Sequence, residues 1–158
     1  MGSPVGTPYS RASERPARDV TVIGFYMGRH PVTQGKWYDV MGSNPSRFQG
    51  AWLFPGVNWR NLPVEYVSWY DTLVFSNTLS IRRGLTPAYS IGGSTNPDDW
   101  GPVPTSRDAA WDAVVMVPSS TGYRLPTEAQ WSFGETTRPI LGITHGAAFV
   151  VATEARAR

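Results

Sequence analysis

Cysteine is absent from this chain of 158 residues. The protein can therefore form no disulfide and offer no thiolate to a metal, although this alone identifies no redox compartment. Long apolar runs are also missing, so no stretch reaches the length needed to span a bilayer. The opening Met1-Gly-Ser-Pro-Val-Gly lacks the basic start and apolar middle of a secretion signal, and Gly6 breaks the pattern for N-myristoylation. Charge is sparse, at 16% of residues, with 14 basic against 12 acidic side chains and a formal net charge of +2. The sequence pI of 9.2 thus rests on a small imbalance with no basic run behind it, which argues against a nucleic-acid partner.

Sixteen glycines and 14 prolines are present instead, which points to a loop-rich domain rather than a helical bundle. The length suits one domain with a core of its own. Seven Trp and seven Tyr supply large apolar area, and such side chains also line binding surfaces.

Residues 1–18 are rich in Pro, Gly, Ser and Arg and read as an irregular lead-in. Asp19 to Met27 has the β-branched and aromatic content of a strand. Thr33 is placed to cap a helix over Gln34 to Met41, with Trp37, Val40 and Met41 on one apolar face and Gly42 at its end. Residues 47–61 lack a period but carry Phe48, Trp52, Phe54 and Trp59, and read as a loop pinned by its aromatics. Ser68 and Asp71 form a capping box ahead of a helix from Trp69 to about Arg82, with Trp69, Leu73, Ser76, Leu79 and Ser80 on one side and Gly84 as its left-handed stop. Tyr89–Ile91 and Val114–Val117 are strand-like and predicted to pair across the turn-rich loop 92–112. Repeats and low-complexity tracts are absent.

The stretch with the most specific grammar is Gly122-Tyr-Arg-Leu-Pro-Thr-Glu-Ala-Gln-Trp131. Pro126 holds Leu125 extended, Thr127 caps a helix beginning at Glu128, Gln130 closes the box, and Glu128 sits where the helix dipole favours negative charge. This run resembles the signature of the formylglycine-generating-enzyme family, also called sulfatase-modifying factors. Further ordered blocks are similar to the same family: Met1-Gly-Ser-Pro4, Val20 to Gly28, Pro31-Val-Thr-Gln34, Trp37 through Val40-Met-Gly-Ser-Asn-Pro-Ser-Arg-Phe48, Leu62-Pro-Val-Glu-Tyr-Val-Ser-Trp69, Asn77-Thr-Leu-Ser80 and Gly84-Leu-Thr-Pro-Ala-Tyr89.

The resemblance implies an α+β, irregular, loop-rich C-type-lectin-like fold, apparently truncated. It covers residues 1–131 as a partial sulfatase-modifying-factor domain and leaves 132–158 as an unmatched tail. In that tail Gly134 and Pro139 are expected to limit the last helix to one turn, and Ile140–Ile143 and Ala147–Ala152 are apolar pieces without evident partners. The family's enzymes oxidise a sulfatase cysteine to formylglycine, using paired cysteines in their second half to hold copper; their calcium-binding segments lie there too. This sequence has no position matching either, so no catalytic, cofactor-binding or metal residue is carried over.

The remaining candidates have ordinary explanations beside the functional ones. His30 and His145 are the only imidazoles, neither with a second ligand at metal spacing, and each reads as a surface or turn residue. Asn96, Asp98 and Asp99 could offer oxygen to calcium but spell a Pro-Asp turn followed by an inward Trp100. Arg47, Phe48, Trp52, Trp59 and Arg60 mix aromatics with guanidinium groups as interfaces do, yet equally describe a loop fixed by Trp with Arg stacked above it. Asp71 and Glu128 fit first-turn charges better than an acid–base pair, and Ser68 and Thr127 read as caps rather than nucleophiles.

The expectation is a non-catalytic member or fragment of the superfamily that binds a protein, peptide or glycan, with no nucleic-acid or membrane partner and no cofactor. Two alternatives stand beside it: copper-dependent formylglycine-generating activity in a full-length relative, or an incomplete gene product without independent function. Exposed apolar edges on a half-domain would favour self-association.

Overall fold

The helices begin where local chemistry satisfies their first amide groups. A computed structural model describes residues 2, 6, 8, 17–22, 24–28, 30–49, 55–137 and 151–153. Helix α1 (Gln34–Met41) starts as the Thr33 hydroxyl accepts from the Lys36 amide at 3.2 Å, and stops at Gly42, whose φ of 76° favours a residue without Cβ. Helix α2 (Trp69–Arg82) carries the full capping box, with Ser68 N donating to Asp71 Oδ2 at 2.7 Å and Asp71 N donating to Ser68 Oγ at 3.1 Å. Helix α4 (Glu128–Thr137) opens on the same device, Thr127 N donating to Gln130 Oε1 and Gln130 N to Thr127 Oγ1. It passes through Gly134 instead of ending there; one glycine costs a helix only about 1 kcal/mol.

Helix α2 is the central element. One flank brings Phe75 and Leu79 to Val32, Trp37, Val40 and Val64, where the rings of Trp37 and Phe75 stack at 4.7 Å with planes 1° apart. The other brings Tyr70 and Leu73 to Ala88, Tyr89, Ile91, Trp100 and Trp111. There the two Trp rings meet edge to face at 5.8 Å, an arrangement their quadrupoles favour. Between the flanks runs a buried polar seam of Ser76, Asn77 and Ser80. Ser80 Oγ donates to Ser76 O at 2.7 Å and accepts from Tyr123 N at 2.8 Å, which ties the GYRLPTEAQW entry to the helix. Gly122 sits so close that an added Cβ would lie 2.5 Å from both Ser80 Oγ and Thr86 O.

Among the described residues strands are few and short. Strand β1 occupies Phe25–Met27, only the end of the segment with strand character from Asp19. Strands β2 (Tyr89–Ser90) and β3 (Val115–Met116) pair antiparallel, Tyr89 opposite Met116, as their sequences predict. The loop between them contains a 3₁₀ turn (Pro97–Asp99) and a short helix α3 (Ala109–Asp112) capped by Asp108. The second sheet has the order β1-β5-β4, with β4 at Tyr123–Arg124 and β5 at Val151–Thr153. Part of the apolar segment 147–152, read in the sequence as lacking partners, thus lies between two strands. The segment 140–143 falls outside the described residues.

Candidate functional site

A polar staple places a group of exposed aromatic side chains. Gln34, fully buried at the start of α1, donates through Nε2 to Phe48 O at 3.0 Å and to Pro63 O at 3.2 Å, while its Oε1 accepts from Asn44 Nδ2. Ser46 and Glu65 exchange hydrogen bonds, Glu65 N donating to Ser46 Oγ at 3.1 Å and Ser46 Oγ to Glu65 O at 3.3 Å. The Glu65 carboxylate accepts from Phe48 N at 2.9 Å. Both main-chain polar groups of Phe48 are therefore fixed, yet its side chain is exposed rather than pinned in the core.

Tyr66 follows Glu65 with φ of 60°, the one non-glycine residue in the left-handed region among those described, and is 70% exposed. Its reversal lets Val64, fully buried, and Val67, packed on the same cluster, both turn inward while the ring of Tyr66 points to solvent. A β-carbon disfavours this conformation by about 1–2 kcal/mol, so the surrounding contacts hold it in place. Trp69, the first residue of α2, is 47% exposed and does not share the buried side of Leu73 and Ser76, contrary to the face read from periodicity. Phe48, Tyr66 and Trp69 thus stand exposed on segments joined by the staple, a set of rings (the aromatic ledge below) that the sequence did not single out as a unit. The signal for it was present in the aromatic content of 47–69, but periodicity could not say which rings face water.

The mixed aromatic–arginine group is arranged differently. The Arg60 guanidinium lies 5.4 Å from the Trp59 ring centroid and 6.0 Å from that of Tyr38, and pairs with Asp39 at 2.5 Å. Tyr38 and Trp59 meet edge to face at 6.1 Å. Arg60 is stacked and neutralised within the domain, as the structural reading of that loop expects; Arg47 is exposed and Trp52 lies outside the described residues. Gly35 permits the approach, since a Cβ there would meet Arg60 Cβ and O at 2.8 Å.

Asn96, Asp98 and Asp99 form a closed turn: Asn96 Oδ1 accepts from Asp98 N, and Asp99 accepts from Ser94 Oγ at 2.6 Å. Trp100 packs inward and donates to Ser94 O. His30 is exposed and His145 lies outside the described residues. Among the described residues no group of three His, Cys, Asp or Glu is placed to hold a metal ion. Asp71 is held in its capping box, Glu128 is exposed in the first turn of α4, and Ser68 and Thr127 act as caps. The family's copper would need thiolates, and a chain without cysteine does not fit it.

A second polar cluster serves structure. Tyr70 donates its hydroxyl proton to Asp112 Oδ1 at 2.6 Å, and Arg107 Nε donates to Asp112 Oδ2 at 2.8 Å. These two donors stabilise the carboxylate and hold its pKa below the ordinary value of 3.8, while the bond to Asp112 raises that of Tyr70. Burial pushes the Tyr89 hydroxyl up as well; it accepts from Leu125 N at 2.9 Å.

The loop-rich α+β domain, with little strand among the described residues, is of the C-type-lectin-like class, as the structural neighbours below support. The chain belongs to the sulfatase-modifying-factor family: residues 2–151 match the model of the sulfatase-modifying factor enzyme 1-like domain. It is 38% identical over 117 residues to the chaperone protein LppX of Paenibacillus barcinonensis, covering 73% of this chain and 37% of that protein. Treponema denticola variable protein 1 superposes with a TM-score of 0.63 at 37% identity, covering 71% of this chain and 42% of that one. The crystal structure of CarF gives a TM-score of 0.58 at 23% identity over 73% of this chain and 46% of that one, a likeness of fold alone. The chain spans less than half the length of each of these relatives. Among the described residues no helix is long and apolar enough to cross a membrane.

Proposed function

We propose that this chain is a non-catalytic, ligand-binding member or portion of a member of the sulfatase-modifying-factor family, and that the Phe48–Tyr66–Trp69 ledge holds an apolar segment of a polypeptide. The observation carrying this reading is Tyr66, a bulky residue held in a left-handed conformation with its ring in water. Strain retained at an exposed aromatic contributes nothing to packing and is typical of recognition positions. The name of LppX, a chaperone protein, supports a polypeptide over a glycan among the ligands the family scaffold suggests. The absence of cysteine supports the non-catalytic part, because this chain has no thiolate to offer copper.

Two measurements test the reading. Binding to a reduced, carboxymethylated unfolded protein and to an array of apolar peptides should fall at least about tenfold in Tyr66→Ala and Trp69→Ala, the loss expected of aromatic anchors. Binding to glycans alone, undiminished in those variants, would overturn it. Incubation with copper, oxygen and a Cys-x-Pro-x-Arg peptide should yield no aldehyde. Aldehyde formation would overturn the non-catalytic reading; the second reading, copper-dependent oxidase activity in a full-length relative, has family membership as its supporting observation.

A further inference from the structure

The guanidinium of Arg124 carries a charge that no carboxylate balances among the described residues. It helps to grip the Leu125 peptide from both sides: Leu125 N donates to the Tyr89 hydroxyl at 2.9 Å, and Leu125 O accepts from Arg124 Nη1 at 3.0 Å. The same Nη1 donates to Gln130 Oε1 at 2.7 Å, the oxygen that also accepts from Thr127 N. Two acceptors saturate Nη1. The edge formed by Nη2 and Nε, which can fork onto a carboxylate, donates to no group among the described residues.

Arg124 is half-buried, and burial lowers its pKa. Tyr89 is only 6% exposed, and its hydroxyl proton has no acceptor among the described residues. Burial raises the pKa of that hydroxyl while the Arg124 charge works against the rise, so the two groups lie within one another's field. A desolvated cation beside a buried O–H with no acceptor is costly until an acceptor of opposite charge arrives.

We propose that the open edge of Arg124 and the hydroxyl of Tyr89 form a subsite for one carboxylate. The cluster offers one positive charge in a flat fork and one neutral donor, which match a group with two oxygens and a single negative charge. A phosphate dianion would be left half-neutralised there. Arg124 is partly open to solvent, which gives the anion its approach. The subsite shares no residue with the aromatic ledge and stands whether or not the ledge holds a polypeptide.

The Arg124 Nε–H resonance of isotope-labelled protein, assigned by its loss in Arg124→Lys, reports on that edge directly. Sodium acetate should move it saturably, and sodium chloride at equal ionic strength should not. Gln130→Glu is the deciding variant, because it sets a carboxylate beside Nη1 with the shape of the carboxamide kept. It should melt higher than the parent in chloride and bind acetate at least about tenfold more weakly. Tyr89→Phe keeps the ring in the core and should weaken acetate binding by about threefold to tenfold. A blocked tripeptide with a central Glu, compared with its Gln counterpart, identifies the source of the carboxylate. Tighter binding than acetate by the Glu peptide alone assigns the subsite to a polypeptide side chain, and affinity no greater than that of acetate assigns it to small carboxylates. A resonance that follows ionic strength whatever the anion would overturn the proposal, as would an acetate response undiminished in Gln130→Glu.

Discussion

Asn77 and Tyr89 hold one another by two hydrogen bonds: Asn77 Nδ2 donates to Tyr89 O at 2.7 Å and Tyr89 N donates to Asn77 Oδ1 at 3.1 Å. The carboxamide of a helix residue thus pairs with the main chain of β2 as a neighbouring strand would. Its second amide proton reaches Thr95 O at 2.8 Å, so one fully buried side chain joins α2, β2 and the following turn. Replacing Asn77 by Ala strands a buried N–H and two carbonyls; unfolding in urea should show a loss of about 2–4 kcal/mol. Asn77→Asp keeps the shape but replaces the donor with a buried acceptor and should cost at least as much.

The adjacent Ser76 should respond with the opposite sign. Its hydroxyl is buried and has no hydrogen-bond partner among the described residues. Ser76→Ala removes a desolvated polar atom while improving helix propensity, and should raise stability by about 0.5–2 kcal/mol. A loss on the same urea curve would show that the hydroxyl does find a partner.

Gly122 is required for a different reason. The positions a Cβ would occupy are already filled by Ser80 Oγ and the Thr86 carbonyl, and Gly122 N itself donates to that carbonyl at 2.8 Å. Gly122→Ala must displace the junction between α2 and β4, so a loss of about 1–3 kcal/mol is expected. Adding Ser80→Gly would clear the hydroxyl but not the carbonyl, and also removes the acceptor of Tyr123 N; the double variant should be no more stable than Gly122→Ala alone.

Caps and helix ends were legible in the sequence because they are local. Thr33, Ser68 with Asp71, and Thr127 with Gln130 each satisfy amides within three residues, so composition alone locates them. The β2–β3 pairing was also legible, since two apolar runs flank a turn-rich loop. The wider sheet was not. Its ladders join residues 25–27 to 151–153, and nothing near either segment announces the other. The site was only half legible: the aromatics of 47–69 stood out, but the burial of Gln34 and Ser46 that turns Phe48 outward depends on contacts distant in sequence. Trp69 fits the periodicity of a buried face and is nevertheless exposed, while its neighbour Tyr70 turns into the core.

Acid should weaken the junction between α2 and α3 through Asp112. Its folded-state pKa is depressed by the hydrogen bonds from Tyr70 and Arg107, so its contribution is present above the unfolded value near 3.8 and lost as pH falls through the lower folded value. Asp112→Asn should therefore flatten the acid limb of a plot of stability against pH. An unchanged acid limb would mean that the carboxylate is no better stabilised in the fold than in the unfolded chain.

Tyr66 allows strain and recognition to be separated. In an ordinary exposed loop, glycine is less stabilising than alanine because it gives the unfolded chain more freedom. At φ of 60° the order should invert: Tyr66→Ala keeps the β-carbon and its penalty, whereas Tyr66→Gly relieves it. The glycine variant is expected to be more stable than the alanine variant by about 0.5–1 kcal/mol, and both should lose polypeptide binding equally because both lack the ring. Tyr66→Phe keeps ring and strain together and should bind nearly as the parent does. If alanine proved the more stable of the two, the left-handed conformation would not be the solution state. If Tyr66→Gly bound as the parent does, the ledge would lose its central residue and the binding reading its support.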